Sequence, residues 1–262
     1  MDKKFFMGIA AMAALTLVSC SSDDLNSLSD NSSKNEAISF DGYLGRSAVA
    51  VNGSRGSEVK IDQLKTGGFG VFGNYSKETT TAYGNSLFDN QQVTYDNDKS
   101  KWTYSPLKFW PSDGHIDFLA YAPFDSNQKL KENSKLDFTV NSTITAQKDL
   151  LWANAKNRTK DNLSSTENNK VKFQFAHALS RLGYTVKLSG NYSPDNVTFT
   201  LKKITLAGSA DETKNAFYKK GTIDLSKAND AGDLWDTSSS SANEGKQNFP
   251  WFSAGAQPVN IT

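Results

Sequence analysis

Short stretches in which apolar and polar residues alternate recur along most of the chain, and this period of two constrains the fold most strongly. Successive side chains of a strand point to opposite faces of a sheet, so Val171, Phe173 and Phe175 fall on one face. Polar turn residues separate such stretches, as at 97–98 and 190–191. The pattern predicts strands at residues 37–43, 59–64, 70–75, 91–95, 102–104, 115–122, 135–140, 150–153, 171–176, 182–188 and 197–206.

Helical signals are weak by comparison. Residues 177–182 could form one helical turn, and no long amphipathic helix competes with the strands. The 16 Phe, 9 Tyr and 5 Trp residues suit a β-rich core, and a single cysteine leaves the fold without a disulfide. The sequence therefore predicts an all-β fold, an antiparallel β-sandwich held together by burial.

The first twenty residues have the anatomy of a bacterial lipoprotein signal. Two lysines precede an apolar run over 5–18 that is too short to span a membrane permanently, and a serine stands before Cys20. An ordinary secretory signal that happens to end near a cysteine is the alternative. Residues 1–19 are thus predicted to be a signal peptide, Cys20 the lipidation site, and 20–36 a flexible tether rich in Ser, Asn and Asp.

The residues after Cys20 predict the cellular location more closely. Residues 21–24, SSDD, resemble the serine-plus-acid signal that directs lipoproteins of Bacteroidales to the outer face of the outer membrane. Acyl chains would then hold the protein, because each buried methylene contributes about 0.8 kcal/mol and two or more chains anchor stably. The predicted location is the cell outer membrane, exposed at the surface.

The charge of the chain argues against nucleic acid as a partner. Residues 1–19 contain two lysines and one aspartate, so the predicted mature chain carries 27 basic and 27 acidic residues and no net charge. A protein that binds a phosphate backbone is expected to cluster Lys and Arg, whereas the charges of this chain are scattered and balanced.

Two groups of residues resemble binding sites. Residues 68–73, GFGVFG, match the dinucleotide fingerprint, but that fingerprint needs a strand before it and a helix after it, and neither flank fits. These glycines are better interpreted as points of close backbone approach in a sheet. Asp113, His115 and Asp117 form the densest titratable cluster, yet the chain has only two histidines and its one cysteine is assigned to lipid. No cofactor and no metal is predicted, and calcium stays open without a recognisable loop.

Catalytic signatures are also missing, so the sequence predicts no enzyme. There is no Gly-x-Ser-x-Gly elbow, and a glycosidase carboxylate pair is defined by spatial proximity that a sequence does not reveal. Tryptophans could bind glycans, but Trp102, Trp110 and Trp152 lie in alternating or proline-bounded segments and are predicted to be core. For Trp235 and Trp251 the sequence decides nothing.

A resemblance to a known family adds to this interpretation. Residues 101–111, KWTYSPLKFWP, and 116–123, IDFLAYAP, resemble the signature of the fimbrillin family of Bacteroidales. Residues 68–72, GFGVF, 147–153, QKDLLWA, and 171–182, VKFQFAHALSRL, resemble further elements of that family in the same order. The resemblance covers residues 37 to about 206.

The resemblance implies two transthyretin-like β-sandwich domains, the first at 37–206 and the second beginning in 207–262. Residues 222–225 and Trp235 resemble the opening of that second domain, which would be incomplete at Thr262. In polymerising family members an Arg-specific protease removes the lipidated segment and the first strand, and a strand of another subunit fills the groove. Arg46 and Arg55 follow the first predicted strand and are the candidate cleavage sites, although either could be an ordinary surface arginine.

The sequence as a whole therefore predicts a structural or adhesive pilus subunit that is exported as an outer-membrane lipoprotein. Its expected partners are other pilus subunits, which donate or accept a strand, the outer membrane through lipid on Cys20, and a surface ligand of a host or bacterium. It would be held at the membrane or released into fimbriae after cleavage. The alternatives are a glycan-binding lipoprotein that does not polymerise and a secreted hydrolase.

Overall fold

Strands dominate the structure, a computed structural model that describes residues 36–45, 58–77, 85–132, 134–163, 169–183, 185–190, 198–227, 233–238, 245–253 and 259–261. The elements in chain order are β1 (Phe40–Leu44), α1 (Ile61–Gly67), β2 (Phe69–Ser76), β3 (Asn85–Asp96), β4 (Lys101–Thr103), β5 (His115–Ala122), β6 (Lys135–Thr139), β7 (Leu151–Arg158), β8 (Val171–His177), β9 (Phe199–Leu201), β10 (Lys203–Leu206), β11 (Phe217–Tyr218), β12 (Lys220–Asp224), β13 (Trp235–Asp236), β14 (Lys246–Gln247), β15 (Phe249–Ser253) and β16 (Val259–Ile261). The prediction of an all-β sandwich is confirmed.

The largest sheet has seven strands in the order β1-β8-β7-β5-β2-β3-β4. Its neighbours are antiparallel except for β1 and β8, which run parallel over Phe40–Leu44, a pairing that an antiparallel prediction does not anticipate. The sheet curls on itself, as the contact between its distant strands shows: the ring of Phe40 on β1 packs 5.4 Å from the ring of Phe88 on β3. The smaller sheets pair β13-β12-β6, β10-β15, β11-β14 and β16-β9.

The central strands β2, β5 and β7 are buried on both faces. Alternate side chains point into an inner core inside the curled sheet, as Phe69, Phe118 and Leu151 do. The intervening side chains enter an outer core, where Tyr121 and Trp152 lie 1% exposed. A strand buried on both faces reads as a nearly continuous apolar run, as the eight residues of β5 do.

The outer core is closed by the sheet β13-β12-β6. Ile223 of β12 is fully buried against Leu136 of β6, its partner in register. The side-chain amide of Asn154 on β7 donates hydrogen bonds to the carbonyl oxygens of Leu225 and Lys227, at 2.9 and 2.7 Å. Residues after 206 therefore contribute to a core that is built on residues before 206. The predicted boundary between 206 and 207 stays a prediction, and the pairs β10-β15 and β16-β9 also join residues on its two sides.

Three local predictions are wrong. Residues 59–64 were expected to be a strand, but α1 begins at Ile61, the Lys60 amide donates to the Gln63 side chain at 3.0 Å, and Gly68 ends the helix at φ +65°. An alternating stretch of only six residues did not distinguish a strand from a helix, because the buried Leu64, 1% exposed, can anchor either structure in the core.

The other two errors are adjacent in the chain. Residues 177–182 form no helical turn, and the described residues of 182–188 form no strand. Leu182 and Val186 are 54% and 41% exposed, so these two side chains do not pack into a core. Strand propensity depends on packing against neighbours, which this stretch lacks among the described residues.

Candidate functional site

The site that bears on function is the groove that holds β1, called here the β1 groove. Its walls are β8 on one side and residues 104–110 on the other, and its floor is made of the inner-core rings Phe69, Phe88, Phe118 and Phe173. β1 and the two residues before it lie in the groove. Ile38, Phe40 and Gly42 are buried and point inward, Leu44 is half-buried against the same core, and Tyr43 points out, 42% exposed.

Phe40 fills the middle of the groove. Its ring lies between 5.3 and 5.6 Å, centroid to centroid, from the rings of four other residues: Phe88, Tyr104, Phe118 and Phe173. These distances fall in the range in which aromatic pairs attract each other beyond the area they bury. Phe40 is thus the principal side-chain anchor of β1 in the inner core.

The two edges of β1 are held unequally. On the β8 side the parallel pairing runs through Phe40–Leu44, and the Val171 amide donates to the Ser39 carbonyl at 2.8 Å. On the other side the bonds lie only at the start of the strand, where the Ile38 amide donates to the Lys108 carbonyl at 2.8 Å. β1 is therefore an edge strand along most of its length.

Tyr104 supplies the other polar contact to the beginning of β1. Its hydroxyl donates to the Ile38 carbonyl at 2.7 Å and accepts from the Lys108 amide at 3.2 Å. Burial raises the pKa of Tyr104 above its usual value, and the hydrogen bond that the Lys108 amide donates to the phenol oxygen opposes this shift. Lys108 itself places its ammonium 4.8 Å above the ring of Phe88, where it covers the groove floor from outside.

The segment between β1 and α1 is anchored at both of its described ends. The Gly45 amide donates to the Phe175 carbonyl at 2.9 Å, immediately before residue 46. At the other end Glu58 pairs with Arg181, and the Val59 amide donates to Asp149 at 3.0 Å. His177 Nδ1 lies 2.7 Å from the same carboxylate oxygen of Asp149. Cys20, Arg46 and Arg55, the predicted modification and cleavage sites, lie outside the described residues.

The glycine-rich fingerprint has the reverse of the context that a nucleotide site requires. A helix, α1, precedes it, and residues 69–73 of the fingerprint themselves form the first part of strand β2. A Cβ atom at Gly70 would lie 2.4 Å from the ring of Tyr121, and one at Gly73 would lie 2.7 Å from the ring of Phe88. Gly70 and Gly73 thus accommodate the close approach of side-chain rings. At Gly68 the predicted close approach of backbone is confirmed, because a Cβ atom there would lie 2.5 Å from the Val93 carbonyl oxygen.

The predicted titratable cluster does not converge on one point. Asp113 accepts from the Tyr75 hydroxyl at 2.5 Å, and this bond lowers the pKa of that carboxyl. Asp117 lies on the outer face of β5 and accepts from the Asn157 amide at 2.6 Å. In the part of the chain that the structure describes, no three His, Cys, Asp or Glu side chains are placed to hold a metal ion, and no helix is both long and apolar enough to cross a membrane.

The core assignment of three tryptophans is confirmed, since Trp102, Trp110 and Trp152 are 8%, 6% and 1% exposed. Trp235, on which the sequence decided nothing, has a structural role: its indole nitrogen donates to the Ala178 carbonyl at 2.9 Å and its ring lies 6.4 Å from that of Phe138. Trp251 lines a shallow, open groove with Ser142, Thr143, Thr145, Pro250, Phe252 and Ser253.

Sequence reasoning missed the residues that fix β1 in place. Tyr104 was predicted as the end of a strand and Lys108 was noted within the family resemblance, but neither pattern indicated a contact with Ile38, 66 and 70 positions earlier in the chain. The contact of His177 with Asp149 was missed as well, because no local pattern links positions 149 and 177. Only the alternation of Ile38, Phe40 and Gly42 could have indicated which face of β1 enters the core.

Comparison with known proteins agrees with this architecture. A sequence model described as fimbrillin-like matches residues 59–252 of the chain. The chain is also 28% identical, over 236 aligned residues, to the fimbrium subunit Fim1C of Phocaeicola vulgatus. The alignment covers 80% of this chain and 59% of that relative, so the chain spans little more than half the length of the curated protein it matches.

Proposed function

Because the chain belongs to the fimbrillin-like family, we propose that it is a structural or adhesive subunit of a pilus. The observation that supports this most directly is β1: its side chains fill the inner core, yet it is an edge strand with one continuous neighbour. Such a strand can be replaced by another extended segment without rearranging the rest of the sheet. The relative named as a fimbrium subunit supports the same role.

The proposed assembly follows from what the loss of β1 would uncover. Ile38 and Phe40, 1% and 2% exposed, would leave empty apolar pockets, and fully burying such a side chain contributes about 1.5 to 3 kcal/mol. The facing backbone groups of β8 would also lose their partners. A strand from another subunit satisfies both demands at once, and this is the driving force for subunit joining.

The proposed maturation begins with a lipoprotein precursor. Lipid on Cys20 holds it at the outer membrane, and cleavage after Arg46 or Arg55 removes the lipid, the tether and β1 together. Arg46 comes two residues after the end of β1, and the described ends of the segment that contains both arginines are held by hydrogen bonds, to Phe175 of β8 at one end and to Asp149 at the other. A protease acting between those ends would cut without disturbing the inner core.

No catalytic role is proposed. The partners are other subunits, which donate or accept strands, the outer membrane through Cys20, and a ligand at the host or bacterial surface. The family is one of fimbrillin-like proteins, and the Tyr104 hydroxyl in the β1 groove forms a hydrogen bond with the segment that the groove holds. The subunit is therefore expected at the cell surface, either lipid-anchored or within fimbriae.

The test is the mass and the N-terminus of the protein recovered from the surface of cells that express it. A chain that begins at Ser47 or Gly56 supports maturation by strand removal, and Arg46→Lys or Arg55→Lys should abolish the corresponding cut. Arg158→Lys, in β7, is the matched control and should leave processing unchanged. Fimbriae built from subunits that still carry acylated Cys20 would contradict the proposed maturation.

A second function is favoured by one observation. The open groove at Trp251 has a volume of about 420 Å³ and combines an indole with the hydroxyl groups of Ser142, Thr143 and Thr145. Aromatic rings with neighbouring hydroxyl groups suit the binding of sugars. Retention of the protein on a polysaccharide gel, lost in Trp251→Ala but kept in the control Tyr218→Ala, would support a glycan-binding lipoprotein. Equal retention of the two variants would contradict it.

A further inference from the structure

The inward-facing positions of the β1 groove, 38, 40, 42 and 44, differ in the size of side chain that they hold. Ile38 and Phe40 occupy full pockets, but the third inward residue is Gly42. A Cβ atom built on Gly42 would lie 3.1 Å from the ring of Phe69 and 3.3 Å from the ring of Phe175. Both contacts are tighter than ordinary van der Waals separations, so this position fits no more than a hydrogen atom without a shift.

The two rings that close this position cannot easily retreat. Phe69 is fully buried and Phe175 is 1% exposed, and their centroids lie 5.3 Å apart. Phe69 is backed by Trp102 at 4.8 Å, and Phe175 by Phe173 at 6.1 Å. A side chain inserted between them would have to displace a packed layer of aromatic rings, which is costly in a core at crystal-like density.

From this we infer that the β1 groove selects the strand it accepts by sequence. The inference rests on the proposed exchange of β1 and specifies the chemistry of the partner. That partner is an extended segment of another subunit with an apolar residue, a bulky apolar or aromatic residue two positions later, and a glycine two positions after that. Side-chain pockets along an added strand are the general source of specificity in such complexes.

The order of the pockets also fixes direction. β1 runs parallel to β8, with Ile38 and Phe40 before the glycine position and the half-buried Leu44 after it. A segment of the same composition laid in the opposite sense would bring a bulky residue against Phe69 and Phe175. The selected strand therefore runs parallel to β8, and mispaired subunits are rejected by overlap instead of by a missing attraction.

The test uses the full chain opened between residues 46 and 57 by an Arg-specific protease, with the position of the cut checked by mass. Fluorescent peptides of residues 36–45 compete for the groove in sub-denaturing urea, and bound peptide is read by anisotropy. Gly42→Val is expected to weaken peptide binding at least about ten-fold, with Gly42→Ala between it and the native peptide. Tyr43→Val, a matched change at the outward-facing neighbour, is expected to bind as the native peptide does.

Each result decides one claim. Gly42→Val binding as tightly as Tyr43→Val would overturn the selection rule while leaving strand exchange intact. If no peptide enters the groove, strand exchange itself is contradicted. The rule is then decided by the uncut chain, in which Gly42→Val must lower the urea midpoint of unfolding and Tyr43→Val must not. Equal midpoints for those two uncut variants would overturn it.

Discussion

Strands β1 and β5 belong to the same sheet and bury their inward side chains to the same degree, yet their backbones are held very differently. Phe40 of β1 is 2% exposed and Phe118 of β5 is fully buried, and their rings lie 5.5 Å apart in the inner core. β5 pairs with β2 along one edge and with β7 along the other. β1 has a continuous partner only in β8.

The difference shows that side-chain burial and backbone pairing are separable properties of a strand. Removing β5 would split the sheet in its middle and open both cores, because its alternate residues line each of them. Removing β1 would open only one groove in the inner core. A strand can therefore contribute many buried contacts to the core and still be exchangeable, because its backbone pairs continuously with only one neighbour.

The largest effect is expected when Phe40 of β1 and Phe118 of β5 are each truncated to alanine, which tests whether the two strands differ in how firmly they are held. Phe118→Ala and Phe40→Ala should each lower the free energy of unfolding of the uncut chain by about 3 to 5 kcal/mol, because both empty a buried aromatic site. Urea titration measures this. After a cut between residues 46 and 57 the variants should diverge: Phe40→Ala, which removes the anchor itself, should lose the N-terminal fragment faster than Phe118→Ala, which removes one of the four rings around that anchor. Tyr43→Ala, on the exposed face of β1, is the control.

A second test concerns the loss of stability at alkaline pH that originates in β5. Burial raises the pKa of Tyr121, on β5, to about 12, and its hydroxyl lies 2.7 Å from both Asn90 Oδ1 and the Asp125 carbonyl. The folded state then holds a proton that the unfolded chain loses near pH 10. The stabilisation is present in full below pH 10 and is lost as the pH rises to about 12, by about 2 to 3 kcal/mol.

Tyr121→Phe cannot ionise, so its unfolding free energy should lack this part of the alkaline decline. It is expected to be less stable than the native chain near pH 8, because the polar partners of the hydroxyl lose their hydrogen bonds. The gap should narrow between pH 10 and 12. An unchanged gap over that interval, by urea titration at each pH, would show that Tyr121 is not the group responsible.

A third test concerns close approach within the centre of the sheet. Gly70 faces Tyr121 so closely that a Cβ atom would lie 2.4 Å from its ring. Gly70→Ala should therefore cost about 1 to 3 kcal/mol in free energy of unfolding, since both strands are fixed by their neighbours. Gly67→Ala, where a Cβ would meet only the Pro123 side chain at 3.5 Å, is the control and should change stability much less.

The smallest expected effect belongs to the polar contact of β1. Tyr104→Phe removes the hydrogen bond to the Ile38 carbonyl and should cost about 1 kcal/mol. In the cut chain it should raise the rate at which the N-terminal fragment leaves, measured by dilution of a fluorescent fragment. Tyr95→Phe, remote from the groove beside Trp102, should leave that rate unchanged. A rate that does not respond to Tyr104→Phe would mean that side-chain packing alone holds β1.

The stretches that sequence patterns predicted well have neighbours on both sides. The strand expected at 115–122 has the same bounds as β5, because eight apolar or alternating residues buried on two faces leave few other structures open. The pattern at 182–188 is as regular, but no strand forms there among the described residues. A regular alternating pattern shows that a segment can form a strand when a partner strand is present. The segment's own sequence does not show whether such a partner lies beside it in the fold.

The site shows the same division. Ile38, Phe40 and Gly42 could be assigned to one face from the sequence, and Arg46 and Arg55 could be placed after the strand. That β1 lies parallel to β8, and that Tyr104 and Lys108 hold its beginning, could not be predicted, because these contacts join positions far apart in the chain.

The sequence by itself determined the β-rich class, the inward face of most strands and the aromatic residues that make the cores, because the period of two and the burial of aromatics are local and compositional properties. The tertiary structure alone decided which strands are neighbours, that residues after 206 close the outer core, and that Phe69 and Phe175 leave room only for glycine at position 42. Pairing partners and close contacts depend on chain closure between distant residues, and that closure is set by the whole fold.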